Sequence, residues 1–190
     1  MKKPVYLALS LALALPLTTF AQTSNIHRSE VSYNNAGLQY VYQHLDDYDC
    51  DQDGLSLYGS KHIHGGWFGQ ARITDLGGDD GCGSTSARVD AGYRLKFNYS
   101  FHFYATLGVE HTDPDTGNDD RGAIAAAGLR GMLAPQLEGK AELAHHTIYD
   151  GETAINLNLT YWPWQRFGIT FDTSFGSDSH SLAAGARMKF

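Results

Sequence analysis

The sequence predicts an all-β fold: a closed, antiparallel, up-and-down transmembrane β-barrel of ten strands, with eight as the alternative count. Three observations carry this. Ser181–Phe190 places Leu182, Ala184, Ala186, Met188 and Phe190 on one face of an extended chain, and Ala183, Gly185, Arg187 and Lys189 on the other. Such period-two alternation marks a strand with two different environments. The chain also opens like an exported protein, and its strand-like segments are joined alternately by tight turns and by longer Asp/Gly-rich stretches.

At the N-terminus, Lys2 and Lys3 form a basic region, Val5–Leu17 is apolar, and Thr19-Phe20-Ala21 precedes Gln22. This reads as a signal peptide over residues 1–21, cleaved after Ala21, with 22–190 as the barrel domain. The apolar stretch is short for a membrane anchor, and no other segment approaches a spanning helix. The full sequence has a formal charge of −7; without the two lysines, 12 basic residues face 21 acidic ones, a charge of −9. That acidity argues against nucleic acid as a partner.

After a polar lead from Gln22 to Glu30, ten strands follow. The first, Val31–His44, sets Leu38, Tyr40 and Tyr42 against Gln39, Val41 and Gln43. The second, Gly54–Ile63, sets Leu55 and Leu57 against Ser56 and Tyr58. The third, Trp67–Leu76, carries Phe68, Gln70, Arg72 and Thr74 on its polar side. Ala87–Lys96 and Phe101–Glu110 alternate cleanly, Gly122–Met132 is rich in Ala and Gly, and Leu137–Leu143 opposes Leu and Ala to Glu138, Lys140 and Glu142. Ile155–Tyr161, Phe167–Asp172 and Ser181–Phe190 complete the set. The short turns fall at 64–66, 97–99, 134–136 and 162–164, and the longer loops at Asp46–Asp53, Gly77–Ser86, Thr112–Asp120, Tyr149–Glu152 and Gly176–Ser179. Short periplasmic turns and longer extracellular loops are the outer-membrane pattern, and an even strand count leaves both termini in the periplasm.

A soluble sandwich or lipocalin-like barrel also alternates. Two features favour the membrane version. Aromatics such as Tyr40, Tyr42, Trp67, Tyr93, Phe97, Tyr99, Tyr161, Trp162, Trp164, Phe167 and Phe190 cluster at strand ends, as interfacial girdles do, and the opposite face carries charges of both signs that can pair in a lumen.

Residues 88–111, RVDAGYRLKFNYSFHFYATLGVEH, resemble small outer-membrane β-barrels of Gram-negative bacteria, and the likeness runs from SYNNAGLQYVYQ (32–43) to Phe190. The chain looks closest to the OmpA/OmpX-like superfamily, and particularly to the quorum-associated barrels of xanthomonads. The resemblance implies an outer-membrane location, insertion by the barrel-assembly machinery with Phe190 as the recognition mark, and no common catalytic residues.

Cys50 and Cys82 lie in the first two long loops, where an exported protein is expected to bridge them. Asp47, Asp49, Asp51 and Asp53 before Gly54 resemble half a calcium loop. The position where an EF-hand needs its bidentate acid holds Ser60, so Asp49, Asp51 and Asp53 read either as a solvated acidic loop or as low-affinity ligands for a divalent cation beside lipopolysaccharide phosphates. His145-His146 and Ser179-His180-Ser181 invite a hydrolase reading, but adjacent His180 and Ser181 point to opposite faces of a strand. The expectation is a monomeric, non-enzymatic barrel without a cofactor, with outer-membrane lipid and lipopolysaccharide as partners. A narrow channel is the alternative, and an outer-leaflet lipid enzyme the third reading.

Overall fold

A computed structural model describes residues 31–46, 50–98 and 100–190. The signal peptide, the lead to residue 30, Asp47, Asp49 and Tyr99 lie outside the described residues. Ten strands run in order: β1 (Asn35–Leu45), β2 (Cys50–His64), β3 (Trp67–Gly78), β4 (Ser84–Lys96), β5 (Phe101–Pro114), β6 (Asp120–Ala134), β7 (Leu137–His146), β8 (Glu152–Tyr161), β9 (Phe167–Phe175) and β10 (Ser179–Lys189). Each pairs antiparallel with its sequence neighbours, and β10 closes on β1 from Asn35↔Lys189 to Leu45↔Ser179. Closure leaves no unpaired edge, the condition for strands in hydrocarbon.

The alternation follows the expected faces. Leu38, Leu57, Val89, Leu107, Leu143, Ile169 and Leu182 point outward and are exposed, while Gln39, Ser56, Asp90, Thr106, Glu142 and Thr170 point inward and are buried. An apolar exterior around a polar interior inverts the arrangement of a soluble barrel. β6, whose faces its Ala/Gly content obscures, turns Ala125, Ala127 and Leu129 outward, and Ile124, Ala126 and Arg130 inward.

Every strand but the first is longer than its alternation predicts. β2 starts at Cys50 rather than Gly54, β5 runs on to Pro114, and β7 continues to His146. At about 3.3 Å per residue, the fifteen residues of β2 extend ~50 Å along the strand, more than a tilted crossing of a ~25 Å apolar band needs. The outward face accordingly turns polar at one end, with His44, Asp53, Asp75, Thr85, His111, Arg121, His145, Thr153 and His180 forming a ring above the band. Much of what reads as long loop is therefore paired strand projecting beyond the membrane. The connections left there are 46–49, 79–83, 115–119, 147–151 and 176–178, and a 3-10 turn occupies Asp79–Gly81.

The opposite end carries the turns 65–66, 97–100, 135–136 and 162–166. Trp67, Tyr93, Phe97, Tyr161, Trp164, Phe167 and Phe190 face outward there as an aromatic girdle. Two expectations about strand and girdle differ. Val31–Asn34 is not strand, because pairing to both neighbours begins at Asn35. Trp162 is buried inside the barrel rather than facing lipid.

Candidate functional site

The lumen is where the fold buries its charged groups, and it is built in two unlike storeys. At the turn end, Glu138 on β7 is fully buried and receives three donors. Arg130 of β6 reaches it at 2.7 Å, Arg187 of β10 at 3.2 Å, and the Trp162 indole N–H at 3.3 Å. The Lys189 ammonium lies 3.8 Å from the centre of the Trp162 ring. Trp162 can turn inward because the position beside it is Gly168, where a Cβ would sit 2.8 Å from the indole. One carboxylate thus ties three separate strands and the β8–β9 turn across the barrel.

Val31–Asn34 completes this floor by entering the mouth of the lumen. Tyr33 is 3% exposed. It lies against Phe68, with ring centroids 4.5 Å apart, and stacks on His102 at 5.9 Å. Arg94 and Arg130 approach its ring at 4.7 and 4.8 Å, a cation–π clamp. Val31 and Tyr104 pack into the same cluster. Arg130 donates to the Ser32 carbonyl at 3.0 Å, Asn35 to the same oxygen at 3.0 Å, and the Ser60 hydroxyl to the Tyr33 carbonyl.

Above the floor, the inward side chains are hydrogen-bonded to one another, and several, set among buried ones, remain reachable by water. Lys140 pairs with Glu142 at 3.4 Å and Arg88 with Asp90 at 2.8 Å. Tyr104 donates to Glu142 at 2.6 Å, Gln39 to Asp172, and Asn158 to Asp172 at 2.9 Å. Arg72 lies over the Tyr58 ring at 5.0 Å. The Lys140 side chain remains 26% exposed. Arg72, Arg88, Asn156, Asp172, Ser174 and Ser181 are partly exposed as well, and because they face inward that exposure is to the lumen. The interior is a hydrated well with a dry floor.

The residues singled out in the sequence lie mostly at the loop end. Cys50 and Cys82 form a disulfide, with Cα atoms 6.3 Å apart, inside the usual range. It fastens the first residue of β2 to the segment after the 3-10 turn. Reduction should leave the barrel folded, since its ladders do not depend on the bridge, and should raise protease cleavage at 79–83; limited proteolysis with and without reductant measures this.

Asp51 and Asp53 stand on the outer wall of β2. Asp51 is met by His44 Nδ1 at 2.7 Å and by the Tyr42 hydroxyl at 2.7 Å, and Asp53 by the Tyr40 hydroxyl. Asp49 lies outside the described residues. Among the described residues, no group of three or more His, Cys, Asp or Glu side chains is gathered to hold a metal ion. His180 lies 3.5 Å from Asp46 and beside the His44 ring, while the Ser179 hydroxyl donates to Glu152 at 3.1 Å. His146 pairs with Glu110 at 2.8 Å inside the well. These histidines are committed to carboxylates rather than to a serine. Phe190 is exposed in the girdle, and its backbone N–H donates to the Asn34 carbonyl at 3.2 Å.

Asp120, at the start of β6 above the apolar band, accepts the backbone N–H groups of Tyr149 and Arg121, each at 2.7 Å. These bonds hold its carboxyl below the ordinary value of 3.8, the Tyr149 bond contributing most. A depressed folded-state pKa gives stability that is present above the ordinary value and lost as pH falls through the lowered one. The contact between the β5–β6 and β7–β8 loops should therefore loosen below about pH 4, read as faster hydrogen exchange at the Tyr149 amide.

An apolar-outside closed barrel, aromatic girdles and a charged lumen define an outer-membrane β-barrel. The family model described as "Outer membrane protein beta-barrel domain" matches residues 7–190, and the chain belongs to that family. Its location is the outer membrane, with the short-turn end periplasmic and the projecting strands extracellular.

Among solved structures, the β domain of the Bordetella autotransporter BrkA is 12% identical, covering 84% of this chain and 100% of that one with a TM-score of 0.51, and shares the fold. The KdgM porin in complex with disordered oligogalacturonate is 14% identical over 81% of this chain and 99% of that one, with a TM-score of 0.48. Neisserial surface protein A is 13% identical over 82% and 95%, with a TM-score of 0.41. No curated protein matches the sequence.

The alternation puts Glu138 and Arg187 on inward faces, but it shows neither their convergence with Arg130 nor the place of Tyr33 in the floor. The inward parity of Val31, Tyr33 and Asn35, continuous with Gln39, was the available signal.

Proposed function

We propose that the protein is a non-enzymatic, non-conducting barrel whose working surface is its extracellular end. The observation that carries this reading is the floor: Tyr33, Phe68, His102, Arg130, Glu138 and Arg187 are each less than a tenth exposed and occupy the periplasmic third of the lumen. A solute entering from outside meets packed rings and paired charges rather than a path.

The extracellular end carries Asp46, Asp51, Asp113, Asp115, Asp119 and Asp178 on and beside its loops, two of which the Cys50–Cys82 bridge ties together. Such a surface suits partners that bring positive charge, including lipopolysaccharide phosphates already bridged by divalent cations, and other cells or secreted factors. Assembly through the barrel-assembly machinery, with Phe190 as the mark, belongs to the same reading.

Planar-bilayer recording on the purified full chain tests it. The expected trace shows no steady conductance. Steady open-channel steps from the wild-type protein would overturn the reading in favour of a narrow channel.

A further inference from the structure

We infer that Val31–Asn34 is a removable plug, and that its withdrawal converts the barrel into a narrow pore favouring small anions. The inference goes beyond the closed barrel proposed above and rests on it.

The segment seals the mouth without belonging to the wall. Ladder pairing of β1 begins at Asn35 with both β2 and β10, so no strand pair breaks when the preceding residues leave. What holds them is side-chain contact: the Tyr33 ring between Arg94 and Arg130, the apolar seat of Phe68 and Tyr104, and donors from Arg130, Asn35 and Ser60 to the carbonyls of Ser32 and Tyr33. Asn34 adds a side-chain oxygen that accepts the His62 amide at 2.8 Å, and its carbonyl takes the Phe190 N–H. The ring is the central piece, and its buried hydroxyl has no hydrogen-bond partner.

Behind the plug the lumen is already wet. Lys140, Arg88, Arg72 and Asp172 are partly exposed, whereas Tyr33 and the Phe68, His102, Tyr104 and Arg130 side chains around it are buried, with Arg94 and Lys189 partly exposed at the mouth. Removing the ring therefore joins a hydrated well to the periplasm at one storey only. The charge of the opened mouth sets what passes. Arg94, Arg130, Arg187 and Lys189 converge there against Glu138, and a ring of fixed cations at a constriction selects anions. The π-face of Tyr33 now covers two of those cations, so the same residue blocks the path and masks the field.

The test is planar-bilayer recording of full-length wild type, Tyr33→Phe and Tyr33→Ala in a potassium chloride gradient, each first checked for the heat-modifiable gel shift of a folded barrel. Tyr33→Phe keeps the ring and should be as silent as wild type. Tyr33→Ala should show stepwise conductance with a reversal potential displaced toward that of chloride. If Tyr33→Ala does not fold, Tyr33→Val, which also removes the ring and most of its bulk, takes its place, with the same expectation. A folded variant lacking the ring that stays silent, or that conducts with a potassium-directed reversal potential, overturns the plug and leaves the closed-barrel reading standing. Wild-type conductance overturns both.

Discussion

Replacing Glu138 with Ala should cost the folded barrel about 3–5 kcal/mol, the penalty for removing one member of a buried ion pair and leaving the others unpaired. Glu138 is fully buried and answers both Arg130 and Arg187, so its loss leaves two guanidiniums, each with only 9% of the side chain exposed, without their counter-charge, and the Trp162 N–H loses its acceptor. The magnitude separates this site from the rest of the lumen. Lys140→Ala breaks one longer contact of 3.4 Å, to a lysine that is partly exposed, and leaves Glu142 with the donors Tyr104 and Asn156, so it should cost less than Glu138→Ala. Urea unfolding of the reconstituted protein, followed by loss of the heat-modifiable form, should show the Glu138→Ala midpoint well below both wild type and Lys140→Ala. Equal shifts for the two variants would mean that Glu138 is no keystone.

Gly185→Val should prevent closure. Gly185 pairs with Gln39 in the seam between β10 and β1. A Cβ there would lie 2.0 Å from the Leu38 carbonyl oxygen and 2.6 Å from the Gln39 Cα, both backbone atoms that no rotamer change can move. Relief requires β10 to part from β1, and each backbone group left unpaired in hydrocarbon costs several kcal/mol. Gly77→Ala is the matching control, because a Cβ at Gly77 meets nothing within 4 Å. The expected result is loss of folded Gly185→Val protein from the outer-membrane fraction, with Gly77→Ala recovered at the wild-type level.

The two positions show which parts of this molecule were legible beforehand. Strand number, order and facing followed from period-two alternation, because in a lipid-bathed wall each outward residue answers to the same solvent. Ala87–Lys96 and Ser181–Phe190 display that in their side chains alone. Strand ends were less legible. Where β2 leaves the membrane at Asp53 and Asp51, the apolar signal stops but the backbone goes on pairing, so an acidic run read as a loop is strand. The floor was least legible. Trp162 resembles any interfacial tryptophan until Gly168 and Glu138 give it an inward seat, and Tyr33 resembles a strand residue until Arg94 and Arg130 close on its ring. Those contacts join residues far apart in the chain, and no local pattern encodes which inward side chains will meet across a barrel.

The central claim is that the lumen is wet above and sealed below. Thiol accessibility in the purified barrel tests it, since the native cysteines are bridged. Ser174→Cys places a thiol high in the well, where the native side chain is partly exposed, and Thr160→Cys places one at the level of Glu138, where exposure is 0%. A small charged maleimide should modify Ser174→Cys readily and spare Thr160→Cys until the protein is unfolded. Modification of both at similar rates in the folded state would contradict the sealed floor, and protection of both would contradict the hydrated well.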